Sequence, residues 1–321
     1  MSQIEITVLK QGKVSRKVLT CCFFTVGEAY RTFKEYIGNL RRFVIDTDQL
    51  PDFEVRIYTD DTGKEYALDI AGNNPNISVL HYNCPQFRDG KGHSGMFGTL
   101  VRFLPLFEDL DVAWCSDIDI PRHYLDPSIL KQMTARSAVI SINTLICYDR
   151  NFRSVHRNAI LAGRFITKVQ LPRALLTRFL NMLSDGKLTN QIHAMNEENS
   201  TNHVPKPQST VPYGTDELFM NTYIYTWIIN NNARVILDRN YSTPWLLFKM
   251  LDKEGRNLMQ KYTYFPTQAK FLKIKQILEN AEPDEQTRQM ECYKDLRKTL
   301  PKLKTGFVVQ FVVDGMNLEK I

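Results

Sequence analysis

The sequence lacks the patterns that are typical of zinc-knuckle proteins, secreted proteins and membrane proteins. None of its six cysteines forms a CxxC pair, and several lie inside apolar, strand-like runs, which predicts reduced thiols in a protein core. No apolar run approaches the length of a membrane span, and the first residues lack the apolar core of a signal peptide. We therefore expect a cytoplasmic protein with no transmembrane segment.

The sequence also lacks a tail or arm of one charge sign. Lysines and arginines are spread along the 321 residues, and the formal net charge of +6 corresponds to a pI near 8.9. Because no aromatic RNA-binding signature accompanies this charge, we predict no nucleic-acid partner. The positive excess suits an anionic ligand such as a nucleotide, although solubility alone explains it equally well.

Short apolar runs alternate with helical patterns through the first half of the chain. Strands are predicted at 18–26, 53–61, 77–83, 111–117 and 137–146, and helices at 27–44 and 96–108. This alternation predicts an α/β fold, with a mostly parallel central sheet flanked by helices. Ligands of such sheets bind at the carboxyl ends of the strands.

The second half of the chain is less regular. It contains predicted helices at 171–186 and 215–232 and a predicted strand at 233–243. The intervening segment 188–214 is rich in Asn, Ser, Thr and Pro without periodicity, which predicts a long surface loop or lid. We predict one α/β domain over residues 1–245 and a mixed C-terminal extension, 246–321, that packs on it.

Pairs of aspartates separated by one residue occur three times, as Asp46/Asp48, Asp109/Asp111 and Asp117/Asp119. The first two pairs fall in polar turns, where solvent explains them. Only Asp117 and Asp119 end an apolar strand, and strand alternation would place both carboxylates on one face. Two carboxylates at such a position fit a hard divalent cation that also binds phosphate oxygens.

The stretch SDIDI (116–120) resembles the Asp-x-Asp motif of GT-A-fold glycosyltransferases, which use nucleotide-sugar donors. Three other segments resemble parts of that family and follow its order. They are TLVRFLPLFE (99–108), similar to an Arg-containing helix before the motif, ILAGRFI (160–166), similar to an Ala-Gly segment, and VPYGTDELFMNTYI (211–224), similar to a Tyr-Gly-x-Asp segment. The resemblance extends over residues 18–243.

The resemblance implies a metal-dependent glycosyltransferase that moves a sugar from a nucleotide-sugar donor, by family habit a UDP-sugar, to a glycan or protein acceptor. It implies Mn²⁺ or Mg²⁺ as cofactor, with Asp119 as the direct ligand. Asp117 would hold the metal through water or bind the donor ribose. Thr25, Tyr58 and Asp61, which stand at strand ends, would then line the nucleoside pocket.

Five more residues have a functional and a structural interpretation. Arg102 either lies over the aspartate pair or the donor diphosphate, or is a single polar position on an apolar helix. Arg88 and Lys91 either approach the donor phosphates or belong to a surface turn. Asp216 and Glu217 either contact the acceptor and activate its hydroxyl, with Asp216 favoured, or are acidic residues that suit a helix's first turn.

Asp238 lies near the point where many members of that family carry a His or Asp that completes the metal shell, and a strand-end turn explains it equally well. Two other functions stay open. One is a catalytically silent GT-A-like domain that binds a nucleotide sugar or a partner protein. The other is a nucleotidyltransferase, whose usual Gly-rich, Lys-containing loop is missing from FFTVGEAYR (23–31).

Overall fold

The computed structural model describes residues 4–26, 33–142, 160–189, 192, 211–231 and 233–239, with isolated positions between 276 and 297. The strands are β1 (Glu5–Lys10), β2 (Lys17–Phe23), β3 (Glu54–Thr59), β4 (Ile77–Asn83), β5 (Arg88–Asp89), β6 (Gly92–His93), β7 (Val112–Ser116), β8 (Ser137–Ile142), β9 (Ile160–Thr167) and β10 (Arg234–Arg239). The α-helices are α1 (Phe33–Asp46), α2 (Lys64–Ala71), α3 (Phe97–Val101), α4 (Ala174–Ser184), α5 (Thr215–Phe219) and α6 (Tyr225–Asn230). A π-helical turn, Met220–Ile224, joins α5 to α6, and 3₁₀ turns occupy Thr47–Gln49, Pro85–Phe87, Leu104–Phe107, Arg122–Leu125 and Pro127–Gln132.

Eight of the described strands form one mixed sheet in the order β1-β4-β3-β2-β7-β9-β8-β10. The neighbours β4-β3, β3-β2, β2-β7 and β8-β10 are parallel, whereas β1-β4, β7-β9 and β9-β8 are antiparallel. The short strands β5 and β6 form a separate antiparallel pair. The prediction of an α/β fold with a mostly parallel sheet flanked by helices is therefore confirmed.

Alternate residues of the central strands pack into two apolar cores. In β3, Ile57 packs in a core with Leu40 of α1 and Trp114 of β7, whereas Tyr58 packs in another core with Phe97 of α3. Solvent has almost no access to the side chains of Ile57, Tyr58, Leu40, Trp114 and Phe97. Strands buried on both faces have few polar positions, which is why they read as continuous apolar runs in the sequence.

The order of the strands reverses between β2 and β7. From β2 the chain continues to β3 and β4 on one side, and then crosses to β7 on the other side of β2. Crevices outside the carboxyl ends of strands at such a reversal are the usual ligand sites of open α/β sheets. The segment that carries Asp117 and Asp119 directly follows β7 and thus begins at this crevice.

Several elements differ from the sequence-based prediction. The exposed edge strand β1 and the short helix α2 were not predicted. The predicted helix at 96–108 ends at Val101, and Leu104–Phe107 continues as a 3₁₀ turn that contains Pro105, which lacks a backbone donor. The Ala-Gly segment forms β9, which runs antiparallel to both its neighbours.

Two predicted segments fall mostly outside the described residues. Most of the predicted loop at 188–214, and the predicted extension at 246–321 apart from isolated positions, lie outside them. No helix in the described ranges is both long enough and apolar enough to cross a membrane.

Candidate functional site

A pocket opens at the carboxyl ends of β2 and β7, where the strand order reverses. The charged residues that line it are Arg102, Asp117, Asp119, Asp216 and Glu217. Its aromatic and aliphatic lining consists of Phe24, Val26, Tyr36, Met96, Ile118 and Tyr213. The pocket therefore brings together all three residues predicted to be catalytic and two of the three aspartates predicted to bind the metal.

Asp117 is positioned by the strand that precedes it and by the strand beside it. The buried strand β7 ends at Ser116, and the backbone N–H of Asp117 then donates to the carbonyl of Gly163 in β9 at 2.9 Å. A Cβ atom on Gly163 would lie 2.5 Å from Oδ2 of Asp117. Gly163 thus leaves the space that the Asp117 carboxylate occupies. The strand ends before Asp119, yet the side chains of Asp117 and Asp119 line the same pocket.

Arg102 links two acidic segments that are far apart in the sequence. Its side chain is only 2% exposed, and its Nη2 donates to Oδ2 of Asp216 at 2.7 Å. Its Nη1 donates to Oδ1 of Asp117. Although burial disfavours the charge, the two carboxylates raise the pKa of Arg102. The structure therefore favours the interpretation in which Arg102 lies over the aspartate pair rather than standing alone on an apolar helix.

Asp216 and Glu217, both in the first turn of α5, have different environments. Both oxygens of Asp216 accept hydrogen bonds, Oδ2 from Arg102 and Oδ1 from the backbone N–H of Glu217 at 3.1 Å. Oε2 of Glu217 is buried and has no hydrogen-bond partner among the described residues. Burial, together with the neighbouring Asp216 and Asp117, raises the pKa of Glu217. The environment of Glu217 therefore favours the protonated form of its carboxyl group when no cation is nearby.

Replacing Glu217 with glutamine is expected to remove a pH dependence of stability. Because the pKa of Glu217 is higher in the folded protein than the value of about 4.3 in an unfolded chain, the folded state binds more protons above that pH. The contribution of Glu217 to the free energy of unfolding of the metal-free protein should therefore fall as the pH rises from 4 towards 8. Urea unfolding across this range should show Glu217→Gln gaining stability relative to wild type with increasing pH. Parallel pH profiles would contradict the assignment.

The predicted donor-side residues Asp61 and Arg88 lie together, but they neutralise one another. Arg88 donates to Oδ2 of Asp61 at 2.9 Å, and Lys64 and His81 contact Oδ1 at 3.0 and 3.1 Å. The guanidinium of Arg88 and the ammonium of Lys64 hold the pKa of Asp61 well below its usual range. Lys91 is exposed, and its carbonyl accepts a hydrogen bond from Arg88. None of these residues is among the described lining of the pocket.

Two more residues that were predicted to line a nucleoside pocket, Tyr58 and Thr25, are not among the described lining of this pocket. Tyr58 is 2% exposed and packs in the apolar core, where burial raises the pKa of its hydroxyl, so its side chain does not line the pocket. The prediction failed because strand alternation turns Tyr58 towards α3. The backbone N–H of Thr25 donates to the hydroxyl of Thr62 at 3.0 Å, and its neighbours Phe24 and Val26 line the pocket.

The backbone of Asp238 is distant from the aspartate pair. It lies in β10 opposite Ser141 of β8, and β9 separates β8 from β7. Three strand spacings of ~4.8 Å place β10 roughly 14 Å from β7. This placement does not bring Asp238 to the metal site predicted at Asp117. Sequence order alone does not show that the late strand joins the sheet beyond β8.

A buried network next to the pocket was not predicted. The carboxylate of Asp60 accepts hydrogen bonds from the backbone of Thr62 at 3.0 Å, from the hydroxyl of Tyr82 at 3.3 Å and from Nδ1 of His93 at 3.1 Å. Since Nε2 of His93 accepts from the backbone N–H of Cys84, Nδ1 is the ring nitrogen that donates to Asp60. The network fixes the β5–β6 hairpin on the end of β3. Its sequence signal, a histidine in a glycine-containing loop, is too weak to identify it.

The pocket lining has the chemistry of a hard-cation site without a complete protein cage. Among the described residues, no group of three or more His, Cys, Asp or Glu side chains is placed to hold a metal ion. Mg²⁺, however, is usually bound in nucleotide enzymes by one or two carboxylates together with water and substrate phosphates. The carboxylate oxygens of Asp117 and Asp119 fit that kind of site, and Gly163 leaves room for the carboxylate of Asp117.

The aromatic lining of the pocket was also missed. Phe24 follows β2, Tyr36 lies in α1, and Tyr213 precedes α5, so three separate segments supply these rings. Aromatic residues in apolar runs give no sequence signal that distinguishes a binding wall from a core.

Comparison with protein-family models and with curated proteins finds no match to this chain.

Proposed function

We propose that this chain is a metal-dependent glycosyltransferase of the GT-A type that transfers a sugar from a nucleotide-sugar donor, by family resemblance a UDP-sugar, to a hydroxyl group of a glycan or protein acceptor. The observation that supports it most is the convergence of Asp117, Asp119, Arg102, Asp216 and Glu217 on one pocket at the strand-order reversal. These residues come from three separate segments that each resemble a part of that family.

The two aspartates have different roles in this proposal. Asp119 would bind the cation directly. One oxygen of Asp117 is paired with Arg102 and the other faces Gly163, which suits a group that holds the cation through water or binds the donor ribose. A bound Mn²⁺ or Mg²⁺ would stabilise the charge that develops on the departing nucleoside diphosphate, an effect of several kcal/mol.

The remaining charged residues arrange the site and handle a proton. Arg102 binds Asp117 and Asp216 at the same time. It therefore holds the segment proposed to bind the metal at a fixed distance from the segment proposed to contact the acceptor. Because both oxygens of Asp216 are engaged, we assign it the role of a positioning residue. Glu217, with an unpartnered oxygen, is the group that would exchange a proton with the acceptor hydroxyl.

A catalytically silent domain that binds a nucleotide sugar is the second candidate. It is favoured by the position of β10, which lies three strands away from β7 in the order of the sheet. Both candidates require donor binding, and only the first requires release of free nucleoside diphosphate from the donor.

Thermal unfolding with UDP, with and without Mn²⁺, tests the proposal. Saturation at 100 times the Kd should stabilise the protein by about 2.7 kcal/mol, and only when the metal is present. Asp119→Asn should abolish the shift. The matched control is Asp111→Asn, since Asp109 and Asp111 have the same spacing but bind Arg16 on the surface.

Three outcomes of these measurements have different meanings. A metal-dependent shift followed by UDP release from a labelled UDP-sugar supports the glycosyltransferase. A shift without release from any sugar donor supports the silent domain. The proposal is wrong if no nucleoside diphosphate changes the unfolding temperature, or if Asp111→Asn is as impaired as Asp119→Asn.

A further inference from the structure

The pocket carries more negative charge than the proposed donor complex requires. Leaving Asp119 aside for the cation, three carboxylates (Asp117, Asp216 and Glu217) face one guanidinium, that of Arg102. The formal charge of this group is −2 when all are ionised, since three negative charges oppose one positive charge. A divalent cation and the two negative charges of a sugar nucleotide's diphosphate cancel each other, so in the donor complex the negative charge of Asp119 adds to this excess.

Glu217 identifies where the excess is least compensated. Asp117 and Asp216 are both paired with Arg102, whereas Oε2 of Glu217 is buried with no hydrogen-bond partner among the described residues. A buried carboxylate oxygen without a donor is costly, and a ligand that donates a charged hydrogen bond there removes the cost. A ligand that suits this position therefore carries a hydrogen-bond donor, and the negative charge of the surrounding carboxylates favours a positively charged donor.

The wall beside the carboxylates suits the same kind of group. Phe24, Tyr36 and Tyr213 line the pocket together with Glu217. Aromatic faces attract ammonium groups, and this attraction is strongest where water is excluded. Carboxylates and aromatic rings in one pocket form the typical surroundings of a bound amine.

We propose that this pocket recognises a primary ammonium group on the sugar substrate, with Glu217 as its direct partner. The inference rests on the proposed function, because it names the substrate class of the same site. The ammonium could belong to the donor sugar or to the acceptor, and the two sources share the same chemistry: an amino sugar rather than a neutral one.

Calorimetric titration with matched amine and hydroxyl ligands tests this inference. In one arm, UDP-glucosamine and UDP-glucose are titrated in the presence of Mn²⁺. In the other arm, glucosamine and glucose are titrated into protein saturated with Mn²⁺ and UDP, and also into protein without either. The amine should bind about tenfold more tightly than its hydroxyl counterpart in the arm that contains its source, as expected for one charge-assisted hydrogen bond.

Two variants separate recognition of the amine from general damage. Glu217→Gln should reduce the amine preference to near unity while UDP and Mn²⁺ still bind, and Tyr36→Leu should reduce it in part. The surface variant Asp111→Asn should keep the full preference. Circular dichroism of each variant shows whether it is folded before its affinity is compared.

Equal affinities for amine and hydroxyl ligands in every arm would overturn the inference. So would an amine preference that Mn²⁺ abolishes, because the ammonium group would then occupy the cation site instead of pairing with Glu217. If UDP-glucose binds with Mn²⁺ but no amine preference appears, the proposed function stands and this inference fails. If no nucleotide binds, the arm without UDP and Mn²⁺ still reports on the pocket's preference for glucosamine over glucose.

Discussion

Replacing Arg102 with methionine is expected to lower the free energy of unfolding by about 3 kcal/mol, near the lower end of the range for breaking a buried ion pair. The side chain of Arg102 is 2% exposed and pairs with Asp216, which is 9% exposed, and with Asp117, which is 40% exposed. Methionine preserves the apolar part of the side chain but leaves both carboxylates without their cation. Urea unfolding at neutral pH measures the loss.

The chain contains a matched control for this substitution. Arg16 also bridges two aspartates, Asp109 and Asp111, but all three side chains are more than half exposed. Arg16→Met should leave the free energy of unfolding almost unchanged, because exposed ion pairs contribute little to stability. Similar losses for Arg16→Met and Arg102→Met would show that Arg102 does not hold the two acidic segments together. Arg102→Met should also abolish UDP binding, whereas Arg16→Met should not affect it.

Replacing Gly163 with alanine is expected to impair the site through a single methyl group. The added Cβ would lie 2.5 Å from Oδ2 and 3.3 Å from Cγ of Asp117. Since Arg102 and the backbone of β9 hold Asp117 in place, the carboxylate has to rotate or β9 has to shift, at a cost of about 1–3 kcal/mol for an overpacked position. Metal-dependent UDP binding should weaken at least tenfold, since about 1.4 kcal/mol corresponds to that factor.

Gly38→Ala provides the comparison for Gly163→Ala. Gly38 lies within α1, and a Cβ there meets no atom within 4 Å. Alanine at this helical position should stabilise the protein by roughly 0.5–1 kcal/mol and leave UDP binding unchanged. A Gly163→Ala variant with wild-type stability and affinity would contradict the role assigned to Gly163.

The local pattern of apolar and polar residues was sufficient to predict the strands that are buried along most of their length. The strand β4 was predicted with its bounds, Ile77 to Asn83, because an apolar run stands between two polar turns. The strand β1 was missed because its residues Glu5–Lys10 are mostly exposed at the edge of the sheet, so apolar and polar residues carry no clear pattern there. The direction of β9 was not predicted, since the sequence of a strand does not specify the direction of its neighbours.

The sequence predicted which residues form the candidate site better than it predicted which of them contact one another. Asp117 and Asp119 were identifiable because two carboxylates rarely follow a buried strand without a compensating charge. The sequence did not show that Arg102 supplies that charge, because its other partner, Asp216, lies 114 positions away. The sequence-based prediction favoured Asp216 over Glu217 as the group that activates the acceptor, but it did not show what each of these adjacent carboxylates contacts.

Electron paramagnetic resonance of Mn²⁺ titrated with the protein, with and without UDP, tests the central proposal most directly, because the signal of the free ion reports binding without requiring turnover. We expect the free Mn²⁺ signal to fall further with protein and UDP together than with UDP alone. We expect no such additional fall with Asp119→Asn and a wild-type additional fall with Asp111→Asn. The absence of an additional fall with wild-type protein and UDP, or the same additional fall with Asp119→Asn, would contradict a metal–diphosphate site at Asp117 and Asp119.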